Sequence, residues 1–144
     1  MNKQTITELT TTGVRPGRGA DRVLWAAQSL IAAVLLLASF PKIIREPTVV
    51  GNFAEMGFNS VATLMIGCVE IAGAIGLLVP RLSGLAALGV VGLLIGATIA
   101  TTLDMGVAPA LLPAALGVMA AIVARGRWYQ TVGLARSVRA VLRR

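Results

Sequence analysis

Residues 61–80 read VATLMIGCVEIAGAIGLLVP, a run of twenty residues with a single charged side chain, Glu70. At about 1.5 Å of rise per residue, a helix of this length spans roughly 30 Å, which is the thickness of the hydrocarbon core of a bilayer. Ser60 precedes the run and Arg81 follows it, so polar residues bracket it at both ends. This stretch therefore predicts a transmembrane helix.

Three further apolar runs flank this stretch, over residues 23–40, 84–103 and 107–124. The composition agrees with helices that face lipid: 56% of the residues are hydrophobic, 13% are charged and the mean hydropathy is +0.83. A soluble domain of this size has about 25% charged residues. Because the last two connections are very short, neighbouring helices should be antiparallel. The sequence thus predicts an all-α, integral membrane, up-down four-helix bundle.

The thirteen Lys and Arg residues are divided unequally between the two sides of this bundle. Eleven fall on the side of the chain ends, and only Lys42 and Arg45 fall on the other. Cytoplasmic segments carry the excess of basic residues, so this bias predicts a bacterial plasma (inner) membrane protein with both termini cytoplasmic. The basic residues lie at helix ends without interleaved aromatic residues, which argues against nucleic acid as the partner of the +7 charge.

The terminal segments differ from the apolar runs. Residues 1–20 are rich in Thr, Gly and charge, which predicts a disordered cytoplasmic tail before a membrane domain of residues 21–127. Residues 128–144 alternate apolar residues with arginines. That alternation predicts a basic amphipathic cytoplasmic tail on the lipid surface.

The connection between the first two runs, residues 41–60, predicts a short amphipathic helix across the outer mouth of the bundle. Pro47 suits its first turn, and Gly57 suits the position after its end. Its apolar residues with helical spacing are Val49, Val50, Phe53 and Met56. Phe53 and Met56 are candidates for a lid, and the alternative is that this helix is a simple interfacial anchor.

Glu70 lies near the bilayer midplane, ten residues from Ser60 and eleven from Arg81. An ionised carboxylate at this depth costs on the order of 3 kcal/mol, so it should face the bundle interior. There it serves either a function or helix packing through hydrogen bonds.

Lys42 closes the first run and is the obvious counter-ion for Glu70, but helix rise places it about 15 Å outward. Two extended side chains would cover the gap only if the first helix sat deep, and otherwise Lys42 would reach to the headgroups. The neutral side chains of Gln28, Ser29 and Thr98 are therefore predicted to be better-placed partners.

Glycines mark the faces of the second and third runs. Gly73 and Gly76 lie on the second, and Gly89, Gly92 and Gly96 lie on the third. Small residues of this kind predict close helix approach, and Gly92-x-x-x-Gly96 is a common packing pattern.

Four short motifs resemble those of one family. They are SFPK at residues 39–42, FAEMGF at 53–58, IGCVEIAG at 66–73 and LVPRL at 78–82, the last followed by LAA at 85–87. In this order and on these runs they resemble the DoxX-like proteins over residues 24–128, although Ser39 stands where that family usually has glycine. The resemblance implies a four-helix membrane bundle. It also implies an association with sulfur and thiol redox chemistry, which in this group includes a quinone-linked thiosulfate oxidoreductase subunit.

Three functions fit this sequence. The first is a non-catalytic or accessory subunit in membrane redox or thiol chemistry, because a chain without histidine and with one cysteine has no usual haem, zinc or dithiol site. The second is a quinone- or lipid-binding oxidoreductase subunit, with Glu70 as proton acceptor. The third is a small proton-coupled transporter.

These functions set the expected cofactors and partners. No intrinsic cofactor or metal is expected, and quinone is the ligand of the second hypothesis. The expected partners are the lipid bilayer, a soluble or membrane oxidoreductase, and further copies of the chain in a homo-oligomer.

Overall fold

The computed structural model describes residues 17–128. This part of the chain holds five helices and no strand: α1 (Arg18–Ile43), α2 (Pro47–Glu55), α3 (Ser60–Leu78), α4 (Ser83–Met105) and α5 (Val107–Gly126). All except α2 are long and apolar enough to cross a membrane. The predicted all-α bundle with a short helix between its first two long helices is therefore confirmed. The predicted tails, apart from residues 17–20 and 128, lie outside the described residues.

The four long helices form a closed ring. Each packs against the next along the chain, and α5 packs back against α1. The short helix α2 lies against α1 and α3. We call the end of the bundle that carries α2 the α2 end, and the opposite end, which holds residues 17 and 128, the terminal end.

Particular residues set the turns between these helices. The side chain of Asn59 caps α3 by accepting a hydrogen bond from the N–H of Ala62. Gly57 and Gly106 have φ angles of +86° and +90°, which residues with a Cβ rarely adopt. Because Gly106 turns the chain alone, α4 and α5 follow one another almost without a loop.

The core of the ring is thin and is made of small and branched apolar side chains. Many large apolar side chains instead point outward, as expected for a surface in contact with lipid. Gly73 and Gly76 let α3 approach α4 closely, since a Cβ at these positions would lie 2.9 Å from Val90 and 2.8 Å from Ala86. The predicted packing role of these two glycines is confirmed.

The first membrane helix is longer than the sequence predicted. It begins at Arg18 rather than at residue 23, so residues 18–20 belong to α1 and not to a tail. It also continues through Pro41 to Ile43, because a proline this close to a helix end removes only one backbone hydrogen bond. Lys42 thus lies inside the last turn of α1 rather than beyond it, which corrects its predicted position.

Candidate functional site

Lys42 and Glu70 form an ion pair between α1 and α3 inside the bundle. The Nζ atom of Lys42 lies 2.9 Å from each carboxylate oxygen of Glu70, and it donates to the carbonyl oxygen of Ala38 at 2.9 Å. The two charged residues are only 8% and 9% exposed. The ring of Phe53 in α2 lies over the ammonium group, with its centroid 5.6 Å from Nζ. The ammonium group therefore has three oxygen acceptors and an aromatic face, as a buried cation requires.

The relative depth of α1 and α3 brings this pair together. A Cβ on Gly67 would lie 3.0 Å from the Cβ of Lys42, so Lys42 stands level with Gly67 and not with Ser60. Only three residues of α3, about 4.5 Å of rise, separate that level from Glu70. Side chains also lean toward the N-terminus of their own helix. Because α1 and α3 are antiparallel, Lys42 and Glu70 lean toward each other.

The neutral side chains predicted as partners of Glu70 lie elsewhere, so that prediction is wrong. The amide nitrogen of Gln28 donates to the carbonyl of Leu77 at 2.8 Å. Ser29 is exposed on the outer face of α1. The hydroxyl of Thr98 donates to the carbonyl of Leu94 at 2.7 Å, within its own helix. The prediction assumed that α1 and α3 end at the same depth, and the deeper position of Lys42 leaves no need for a neutral partner.

The ion pair lies in the wall of a cavity of about 540 Å³, which we call the chamber. All five helices contribute to the wall, which is mostly apolar. Phe53 of α2 and Met56, which caps the end of α2, were both predicted lid candidates and lie in this wall together with Phe58. Pockets that bind small molecules have this size and this character, a largely apolar wall with a few convergent polar groups.

A family comparison bears on this arrangement. The family model of DoxX-like proteins matches residues 26–123, which are 98 of the 144 residues. The chain belongs to the DoxX-like family. No curated protein and no solved structure matches this DoxX-like chain. Three of the motifs that resemble the family supply Lys42, Phe53 and Glu70, which meet at the chamber of the DoxX-like protein.

The glycine face of α4 lines the chamber of the DoxX-like protein instead of packing against another helix. A Cβ on Gly92 or Gly96 would meet no atom within 4 Å, and both residues lie in the chamber wall. Gly89 also faces open space. The predicted packing role of these three glycines is therefore wrong. Small residues pack helices only where a neighbour approaches, whereas Gly92 and Gly96 face the cavity and no other helix reaches Gly89.

A second cavity of about 520 Å³ adjoins the chamber, and we call it the groove. It lies between the end of α2, with the residues that follow it, and the second half of α4. Four residues line both cavities, namely Met56, Phe58, Gly96 and Ala100. The chamber and the groove therefore adjoin at these residues.

The terminal end of the DoxX-like protein is held by a buried polar cluster that sequence reasoning missed. Arg127, only 3% exposed, donates to the side-chain oxygen of Gln28 through Nε and a terminal nitrogen at 3.2 and 3.1 Å. It also pairs with Asp21 at 2.6 Å and lies over the ring of Trp25, 5.5 Å from its centroid. We call this group the clasp.

The clasp joins three helices, because Gln28 of α1 also bonds Leu77 of α3 while Arg127 follows α5. The signal in the sequence was a glutamine inside an apolar run, whose amide must find partners when buried.

Glu46 fixes the start of α2 and thereby the position of the lid candidates. Its carboxylate accepts the backbone N–H groups of Thr48 at 3.3 Å and Val49 at 3.0 Å. Hydrogen bonds from the Thr48 side chain and from the Val49 backbone hold the pKa of Glu46 below its usual range. Because Pro47 occupies the first turn without needing an N–H partner, the helix begins sharply at this point.

Among residues 17–128 there is no group of three or more His, Cys, Asp or Glu side chains that could hold a metal ion. The charged groups at the chamber of the DoxX-like protein are Lys42 and Glu70. The arrangement can therefore supply hydrogen bonds and hold a proton, in an apolar cavity suited to an apolar ligand with a polar head.

Proposed function

We propose that this DoxX-like protein is a quinone-binding membrane subunit that serves a redox partner, which supplies the electrons. The observation that supports this function best is the Lys42–Glu70 pair in the wall of the 540 Å³ chamber. An accessory subunit that bound nothing would gain little from an open cavity around a buried ion pair, since such pairs cost desolvation energy.

The chamber suits a quinone headgroup in size and chemistry. Its apolar wall fits a ring, and the backbone of Gly92 offers a flat surface without a side chain. Lys42 directs two of its three hydrogen bonds to the same carboxylate. One of these can pass to a ligand carbonyl while the ion pair persists through the other, so binding leaves no charge unpaired.

Glu70 and Lys42 provide the proton chemistry of this proposal. A bound quinone supplies two-electron, two-proton redox chemistry. Lys42 would donate a hydrogen bond to a carbonyl oxygen of the ligand, and Glu70 would hold and pass on one proton at a time beside it. Both residues are buried, so these interactions act in a medium of low polarity where they are strong.

The electrons must come from another protein. The chain has no histidine and one cysteine, which leaves it without the usual ligands of haem, iron–sulfur or dithiol centres. We therefore infer a soluble or membrane oxidoreductase as partner, with its electron-transfer cofactor close to the chamber.

The distribution of basic residues supports a bacterial plasma membrane location with both termini cytoplasmic. Lys42 is buried inside the bundle. Among the described residues, Arg45 is therefore the one basic residue of the α2 end that faces outward. The difference in basic charge between the two ends is thus larger than the sequence implied. In this orientation the chamber lies toward the outer half of the membrane.

Quinone binding by the purified protein tests this function. We expect a radiolabelled benzoquinone with a decyl chain to bind saturably in mild detergent, at one equivalent per chain. Gly92→Leu should weaken binding by about tenfold or more, because the new side chain fills the chamber. The matched control is Gly89→Leu, a change in the same helix at a glycine that also faces open space and lines neither cavity.

Two results would contradict the proposal. One is wild-type protein that binds no quinone and carries none after extraction from membranes. The other is equal binding by the Gly92→Leu and Gly89→Leu variants. A stoichiometric oxidoreductase recovered with the protein supports the partner, and its electron transfer to quinone should fall in Glu70→Gln.

A further inference from the structure

The chamber and the groove meet between α4 and the segment that follows α2, at a boundary we call the neck. The residues common to both cavities are Met56 and Phe58 on one side and Gly96 and Ala100 on the other. Within the described residues, α2 makes no close backbone contact with α4, although it packs against α1 and α3. The α2 end of the bundle is therefore open between α2 and α4.

The α4 side of this neck lacks bulky side chains. Gly96 and Ala100 lie one turn apart on the same face, and a Cβ on Gly96 would meet no atom within 4 Å. On this side of the neck a ligand can thus lie against the helix backbone.

The groove leads from this neck to the lipid-facing surface. Beyond Gly96 and Ala100 its wall is formed by Ile99 and Leu103, which are 56% and 83% exposed. Large apolar side chains exposed on a membrane-crossing helix are suited to lipid tails and not to water. An apolar chain that leaves the chamber through the neck therefore meets the apolar side chains of Ile99 and Leu103.

Charge defines the class of ligand. In the chamber the ammonium of Lys42 is neutralised by Glu70, so it offers no unmatched charge for an anion. Glu55 and Asp104 line the groove and would repel an anionic head that approached along it. The combined site thus favours an uncharged ligand.

We propose that the chamber and the groove are two parts of one site for an uncharged amphiphile. Its polar ring lies in the chamber beside Lys42 and Glu70, and its apolar tail leaves between α2 and α4 through the neck at Gly96. This route is the path of entry from the membrane. The inference rests on the proposed quinone-binding function and adds the position of the tail and the neutrality of the ligand.

Two ligands distinguish the binding of the ring from the binding of the tail. The probes are a substituted benzoquinone without a chain and the same ring with a decyl chain. We expect Gly96→Leu to weaken binding of the decyl compound by roughly tenfold or more and that of the chainless ring by less than about threefold. Gly89→Leu, with the same side chain in the same helix, should change neither. Ionised decanoate should not compete with the decyl quinone.

The outcomes distinguish this inference from the function on which it rests. Wild-type protein that binds neither quinone overturns the proposed function. Quinone binding with equal weakening of both probes by Gly96→Leu, or with none, overturns the tail route alone. Competition by decanoate overturns the neutrality of the ligand.

Photolabelling of the wild-type protein gives a test that needs no variant. A decyl quinone with a photoreactive group at the end of its chain should label the groove at Ile99 or Leu103. Labelling confined to α5, or to α1, would place the tail elsewhere and overturn the route.

Discussion

The Cβ of Lys42 lies 3.0 Å from the point at which a Cβ on Gly67 would stand, and Ile43 Cδ1 lies 3.2 Å from the same point. This close approach of α1 to α3 fixes the depth of one helix against the other. It places Lys42 one turn outward of Glu70, within reach of both carboxylate oxygens. A glycine that carries no chemistry thus determines whether the two charges meet.

We expect Gly67→Val to destabilise the protein by about 1–3 kcal/mol, because the added methyl groups must displace the end of α1. Thermal unfolding in detergent measures this effect. Gly89→Val is the control, since it puts the same β-branched residue into a helix at a position that faces open space. Equal unfolding temperatures for the two variants would show that α1 and α3 do not depend on this contact.

Removal of one member of the ion pair should cost more than removal of both. Lys42→Met or Glu70→Leu alone leaves a buried charge without its partner, which costs about 3–5 kcal/mol. The double variant leaves an apolar contact, and we expect its unfolding free energy to lie closer to wild type than either single variant. Strictly additive losses in this double-mutant cycle would contradict a direct interaction.

The sequence was sufficient for the four membrane helices and for α2, because their signals are local. The length of an apolar run and the places of Pro47 and Gly57 each depend on a few consecutive residues. The depth of α1 against α3 is a relation between distant residues, namely Lys42 and Gly67. Counting residues from the helix ends assumed that α1 and α3 end at the same depth. It therefore placed Lys42 and Glu70 too far apart, although their side chains lie 2.9 Å from each other in the structure.

The roles of the glycines also depend on distant residues that a local sequence pattern does not show. Gly73 and Gly92 look equivalent in the sequence, yet Val90 lies against the first and open space against the second. What faces a glycine depends on where the neighbouring helix runs, and no pattern within one helix contains that information. The clasp was missed for this reason too, since Arg127 and Asp21 are 106 residues apart.

The clasp should stabilise the terminal end of the bundle. Gln28→Leu leaves the carbonyl of Leu77 and the buried guanidinium of Arg127 without this amide, and we expect a loss of about 1–3 kcal/mol. Ser29→Leu is the matched control, because Ser29 is the adjacent residue but is exposed. Chemical unfolding in detergent compares the two, and a Gln28→Leu variant as stable as Ser29→Leu would refute the role of the clasp.

The start of α2 should weaken in acid. Folding lowers the pKa of Glu46 from its usual value near 4.5, so its ionised cap contributes stability above that pH and loses it as the pH falls through the lower folded value. We expect hydrogen exchange at the Thr48 and Val49 amides, corrected for intrinsic rates, to accelerate over this interval.

The Glu46→Gln variant is the control for this acid effect, because its side chain does not titrate. Its exchange should not change across the same pH interval. Protection at Thr48 and Val49 that is independent of pH in wild type would rule out Glu46 as the cap on which α2 depends.

The two buried polar contacts also imply an order of assembly. The Lys42–Glu70 pair joins the first two long helices of the chain, whereas the clasp joins the last helix to the first. During synthesis from the N-terminus, the intramembrane charges can neutralise each other as soon as Glu70 has been made. Ring closure must wait for Arg127. A charge-matched hairpin of α1 and α3 can therefore form before α4 and α5 have been made.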